Sequence, residues 1–207
     1  MTAIETRQSF LEFLRTRRSV RRFTPDPVPI ERINQLLEAA ILAPSAHNRQ
    51  PWRFAVIADA QIRQMLADAM GEELYRDLLT DGVENIEARR QVDRSRDRIV
   101  SAPLAILLCL DLSSADPYPD ESRQRAEFLM GVQSVALAGG TLLLAAHAEG
   151  LGAVWMCAPL FTPEIVRKVL DLPVSWDPQG LILLGYPATK PSPRLRHAVE
   201  DVALFFT

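Results

Sequence analysis

Cysteine is scarce in this chain: there are two in 207 residues, Cys109 and Cys157, each inside an apolar run and neither in a CxxC pair. The only histidines, His47, His147 and His197, are scattered, so the common zinc spacings and any disulfide framework are excluded. Both cysteines read as small buried hydrophobes, and the expected setting is a reducing cytoplasm. Glycine is also sparse, nine in all, and no GxGxxG joins a strand to a helix; Gly150-Leu151-Gly152 lacks the third glycine and follows a helical pattern. There is no GxxxxGK[ST] for a nucleotide triphosphate. There is no GxSxG, and no serine or cysteine pattern beside a histidine, so hydrolysis has no visible machinery. An excess of positive charge is missing as well. The formal net charge is −3 and the pI near 5.7, which argues against nucleic acid as a partner. The amino terminus lacks the basic-then-apolar layout of a signal peptide. The longest nearly uncharged run, Met130 to Ala148, is interrupted by Gln133, Ser134, Thr141 and His147 and reads as a buried helix, so no membrane is expected as a partner.

What is present supports one domain over residues 1–207. At 48% hydrophobic the chain can bury a sizeable core. Ser9 to Thr16 reads as a helix, and Ile30, Ile33, Leu36, Leu37, Ala40 and Ile41 mark another that starts at Pro29 and ends before Pro44. Arg53 to Ala58 reads as a strand and Gln61 to Met70 as a helix. Between about 71 and 100 the charges alternate in sign at helical spacing, which predicts exposed, ion-paired helices, a charged excursion able to serve as a lid. Leu104 to Leu110 is apolar on both faces, as a strand covered on two sides would be. A long helix from about Arg125 to Glu149, rich in glycine and alanine, is expected to be deeply buried and to touch another subunit. Ala153 to Cys157 and Gly180 to Gly185 read as strands, and Pro163 to Leu170 as a helix. The apolar end, Val199 to Phe206, is expected to dock, on a partner subunit if one exists. Strands separated by helices, with no repeats, predict a layered α/β or α+β domain.

Against the acidic background, Arg17, Arg18, Arg21 and Arg22 put four guanidinium groups into six residues. Such runs are usually solvated faces. Two further segments share the character, however: the polar loop Ser45 to Gln50 and the tail cations Lys190, Arg194 and Arg196. A ligand with a phosphate at one end and a flat hydrogen-bonding ring at the other would use all three. Arginine grips phosphate bidentately, and the amides of Asn48 and Gln50 offer a donor and an acceptor together.

Arg17-Arg18-Ser19-Val20-Arg21 is followed two dozen residues later by Ala43-Pro44-Ser45-Ala46-His47-Asn48-Arg49-Gln50-Pro51-Trp52-Arg53-Phe54, then by Gly185-Tyr186-Pro187 and Arg194-Leu195-Arg196. In this order and spacing the chain resembles the nitroreductase family of flavin mononucleotide (FMN) enzymes. The resemblance implies an α+β fold, with a central mixed, mainly antiparallel sheet flanked by helices, in an intertwined homodimer with FMN at the subunit interface. It assigns Arg17, Arg18, Ser19 and Arg21 to the flavin's phosphate, ribityl chain and ring, and Arg194 and Arg196 to the phosphate. Pro44, Ser45, Ala46 and Asn48 match a loop that reaches the partner subunit's flavin, with Gln50 beside them a cofactor candidate through its amide, and Met156, Cys157 and Ala158 lie where the family places a segment beside the ring. No side chain is given a catalytic step; Arg18 and Arg21 would stabilise charge on the reduced ring. The activity implied is hydride transfer from NAD(P)H to flavin, then reduction of a small nitroaromatic, quinone or enone by ping-pong kinetics. Asp116-Pro117-Tyr118-Pro119-Asp120, Trp155 and Leu170 to Pro178 are similar to the reductase domain fused to the coenzyme F420 glutamyl ligase, which implies a deazaflavin precursor as an alternative acceptor. A module that binds or senses flavin without turnover is the alternative from another class.

Overall fold

A computed structural model describes residues 3–113 and 115–206. In chain order the elements are α1 (Ala3–Thr16), α2 (Ile30–Ala40), β1 (Trp52–Ile57), α3 (Ala60–Thr80), α4 (Asn85–Ser101), β2 (Leu104–Asp111), α5 (Glu121–Ala148), β3 (Gly152–Met156), α6 (Pro163–Leu170) and β4 (Trp176–Gly185), with short 3-10 turns between some of them. The strands form one sheet in the order β1-β2-β4-β3, and every neighbouring pair is antiparallel. The parallel contact that makes the arrangement mixed is a lone bridge from Ser19 to Ala153 at the β3 edge.

All eight residues of β2 are buried, and they feed two cores alternately. Leu104, Ile106, Leu108 and Leu110 face α2 and α5, while Ala105, Leu107 and Cys109 face α3, α4 and α6. The result is three layers, helix, sheet and helix, as the doubly apolar run predicts. The two-sided burial here is achieved with antiparallel strands.

Several boundaries differ from expectation for identifiable reasons. α3 does not stop at Met70 but runs through Gly71 to Thr80, because α4 packs onto that glycine: a Cβ there would sit 3.1 Å from Val92. The turn comes at Gly82, whose φ of +80° is the left-handed conformation that glycine tolerates. The charged stretch thus forms the end of α3 and all of α4, and it is anchored through buried Ala88 and Ile99. β4 starts at Trp176, not Gly180. The strand absorbs Pro178 at an irregularity where Gly180 pairs with Leu108 and Pro178 with Cys109, leaving Gln179 as the extra residue.

α5 departs most from its expected burial. Gly131, Val135, Ala138, Gly139, Leu142 and Ala146 are buried against the sheet, but Leu129, Gln133, Ala136 and Leu137 on the opposite face are exposed. Gly131 and Gly139 serve the inner face. The Trp155 indole passes between Gly139 on α5 and Gly180 on β4, and a Cβ on Gly180 would lie 2.5 Å from it. Replacing Gly139 by Ala would drive a methyl into that ring. The substitution is therefore expected to lower the unfolding free energy by about 2 kcal/mol, read as a drop in the urea midpoint at unchanged m-value. An unshifted midpoint would mean that the indole has room to move.

Candidate functional site

The site begins where α1 ends. Val20 is buried, its N–H donates to the Ala153 carbonyl at 3.0 Å, and Gly152 makes the approach possible, since a Cβ there would lie 2.7 Å from the valine. Two further bonds continue the seam, from Thr24 N–H to Tyr186 O at 2.8 Å and from Ala188 N–H to Arg22 O at 3.0 Å. The segment is thus held between β3 and the chain leaving β4, and the residues around Val20 point away from the core. Phe23, half-buried, packs into the core as an anchor.

This places Arg17, Arg18, Arg21 and Arg22 around a basin of about 960 Å³. The tail contributes Lys190, Arg194 and Arg196, and the last turn of α4 contributes Arg98. Ser19 and Ser192 add hydroxyl groups. Among the described residues no carboxylate lines the basin, and none pairs with these cations. Partial burial lowers the pKa of Arg17, and the neighbouring Arg196 and Arg18 lower it further. Arg18 is not wholly free for a ligand: its Nη1 donates to the carbonyls of Arg15 and, at 2.8 Å, Arg17, capping the end of α1. The donor set fits a phosphate-bearing cofactor, with forked guanidinium groups, hydroxyls beside them and no competing acid.

Two groups of expected site residues lie elsewhere. Pro44, Ser45, Ala46, Asn48 and Gln50 precede β1, whereas the arginines flank β3, and these strands form opposite edges of the sheet. Three strand spacings, about 14 Å, separate them across the sheet, and the register places them at opposite strand ends as well: Trp52 pairs with Leu110, whereas Ala153 is level with Leu184 and Leu104, about 20 Å further along. The loop is nonetheless a built structure. The Ala46 N–H donates to Ser134 Oγ at 3.2 Å, and the Gln50 N–H to Ser45 Oγ at 3.0 Å. Arg49 is clamped between buried Glu127 and Asp116, and the Asp116 N–H also donates to Glu127 Oε1 at 3.2 Å. Between these anchors His47, Asn48 and Gln50 take φ values of 53°, 54° and 52°. Three non-glycine residues in left-handed geometry within four cost about 1–3 kcal/mol each and cluster where geometry serves function. The loop leaves Pro44, Asn48 and Gln50 exposed.

Met156, Cys157 and Ala158 run from the end of β3 into a 3-10 turn and do not line the basin. Met156 and Ala158 pack on the core face shared with α3 and α6. Cys157 is exposed, contrary to the buried reading, because it lies past the last paired residue of β3. Cys109 is fully buried as expected, and burial, with Asp177 adding to it, pushes its thiol up to about 12.

The cation that sequence reasoning passed over is Arg98. A signal did exist: of the five arginines from 89 to 98, it alone has no acid three or four residues away.

A family model for the nitroreductase family matches residues 14–186, a span that ends before Lys190, Arg194 and Arg196. Over 91% of this chain and 92% of its own length, a protein of Thermus thermophilus named NADH dehydrogenase is 34% identical. A Rhodospirillum rubrum protein named 5,6-dimethylbenzimidazole synthase is 32% identical over 86% of this chain and 82% of its own. The crystal structure of a BluB-like flavoprotein from Clostridium difficile superimposes with a TM-score of 0.82 at 23% identity, covering 96% of this chain and 99% of that one, and shows the same fold.

The clamp on the polar loop can be tested directly. Glu127 is 4% exposed and Asp116 57%. Glu127→Ala strands a partly buried guanidinium and is expected to cost about 3 kcal/mol, whereas Asp116→Ala is expected to cost under about 1 kcal/mol, both measured by denaturant unfolding. Equal costs would contradict the assignment of Glu127 as the anchor.

Proposed function

The chain belongs to the nitroreductase family, and from that membership we propose that it is an FMN-dependent NAD(P)H oxidoreductase that reduces a small organic acceptor by ping-pong kinetics. The observation that carries the reading is the basin of unpaired cations. Bound there, FMN would supply the chemistry, accepting a hydride from NAD(P)H and passing the reducing equivalents to the acceptor. The chain's part is to hold and polarise. Arg17, Arg194 and Arg196 would grip the phosphate, Ser19 the ribityl hydroxyls, and Arg21, with the guanidinium nitrogens of Arg18 left over from capping, the edge of the ring where negative charge collects. Fixed cations in such a site stabilise that charge without reorganising.

The opposite-edge placement of the polar loop favours a site shared by two copies of the chain. Pro44, Ser45, Ala46, Asn48 and Gln50 would then complete the basin of the partner subunit. Exposed Leu129 and Leu137 on the bare face of α5, with Leu204, Phe205 and Phe206 in the tail, supply the apolar surface a homodimer would cover. The α3–α4 hairpin reaches the basin only through Arg98, so any role as a lid would act at the phosphate end.

The acceptor is proposed at the level of class. The relatives of similar identity carry different names and do not rank one acceptor above another. The residues similar to the domain fused to the coenzyme F420 ligase are engaged in packing and ion pairs: Asp116 holds Arg49, Trp155 fills the gap between Gly139 and Gly180, and Asp177 faces Arg167 at 3.7 Å. They lend no particular weight to a deazaflavin precursor.

The purified protein should show flavin absorbance that NADH or NADPH bleaches without oxygen. Arg21→Ala, which removes one charge-assisted contact, is expected to weaken FMN binding about tenfold or more, measured by fluorescence titration. Flavin that resists both nicotinamides would favour a sensing module. Failure to bind added FMN would contradict the reading altogether.

A further inference from the structure

The basin holds more positive charge than the proposed cofactor can balance. FMN's phosphate brings at most about two negative charges, a monoester with its second pKa near 6. Eight cations face it with no acid among the described residues. Assigning Arg17, Arg18, Arg21, Arg194 and Arg196 to the flavin, as the proposed reading does, leaves Arg22, Arg98 and Lys190 without work. Two of these stand on separate elements. Arg22 is tied through its carbonyl to Ala188, and Arg98 projects from the last turn of α4. Like Arg21, Lys190, Arg194 and Arg196, they are exposed and have no side-chain hydrogen bond or ion pair among the described residues, in a molecule where Arg90, Arg94 and Arg96 of the same helix as Arg98 all have acidic partners. Like charges gathered without a counterion repel one another; the pKa of Arg17 is lowered first by burial and then by Arg196 and Arg18 beside it. An anion other than the flavin phosphate would relieve that repulsion.

We propose that Arg22 and Arg98, with Lys190 beside them, form a second phosphate site for the 2′-phosphate of the nicotinamide dinucleotide, so that the enzyme selects NADPH over NADH. The inference rests on the FMN reading. The reductant must bring its nicotinamide to a flavin whose own phosphate is already in this basin, so the other end of the dinucleotide works within the same field. NADPH and NADH share the pyrophosphate and differ only in the 2′-phosphate, which is the group that a forked guanidinium from each of two elements would distinguish. The dinucleotide would also join α4 to the tail through its phosphate.

The test uses the FMN-loaded protein, with flavin content measured first in every sample. Binding of adenosine 2′,5′-bisphosphate, 5′-AMP and inorganic phosphate is followed by calorimetry. The bisphosphate is expected to bind at least about tenfold more tightly than 5′-AMP, the difference of one good charge-assisted contact. Inorganic phosphate should compete weakly with it. The double variant Arg22→Ala/Arg98→Ala should bring the two nucleotides to within about twofold while the flavin content stays that of the parent, and Arg22→Lys/Arg98→Lys should restore part of the difference. Equal binding of the two nucleotides by the parent, or a preference that survives in the double variant, would overturn the proposal and leave the flavin reading intact. Loss of FMN in the double variant would place these arginines in the flavin site and also overturn it. A parent that takes up no FMN would refute the flavin reading itself.

Discussion

The hydrogen bond from the Val20 N–H to the Ala153 carbonyl decides where the arginines stand. It lies in the only parallel pairing among the described residues and fastens the chain after α1 to the free edge of β3. Gly152 admits the valine, and the valine's burial then turns the flanking residues outward. Four guanidinium groups are thereby fixed on one sheet edge, where the tail and the end of α4 add four more cations. A single backbone contact, opened by one missing Cβ, converts a charged run into one wall of a basin.

The same sheet order separates that wall from the polar loop. With β2 and β4 buried in the middle, β1 and β3 are obliged to be edges, and whatever precedes β1 lies across the molecule from whatever flanks β3. The loop is too costly in backbone strain and too well anchored by Glu127, Arg49 and Ser134 to be an incidental connection. A flat cofactor cannot meet both surfaces on one copy. Two copies related by a twofold axis can present the basin of one to the loop of the other, and the bare face of α5 offers the surface on which they would join.

Much of this was legible in the residues. β2 reads correctly because burial on both faces leaves almost no polar position, and the arginine and tail clusters stand out because guanidinium groups are conspicuous in an acidic chain; the structure brings both clusters to one basin. Other features depended on partners distant in sequence. Gly71 reads as a helix end until Val92 is seen packed on it, and Gly139 reads as a subunit contact until the Trp155 indole is found in the gap. The bare side of α5 is invisible to composition, since an apolar helix looks the same whether the sheet or another subunit covers it. Cys157 looked buried because its neighbours are apolar, but it falls one residue past the strand. Arg98 was hidden among mixed charges, and only its lack of an acid one helical turn away set it apart.

The central claim, that each flavin site combines the arginine edge of one chain with the polar loop of another, is most directly tested by complementation. One chain would carry Arg17→Ala and Arg21→Ala, the other Asn48→Ala and Gln50→Ala, and the two would be refolded together and separated as tagged heterodimers. Bound FMN per dimer is then measured. A composite site leaves one of the two sites intact, so the heterodimer should hold about half the flavin of the parent while each mutant homodimer holds little. A heterodimer as empty as both homodimers would contradict the account, because it would place all of these residues in the site of a single chain.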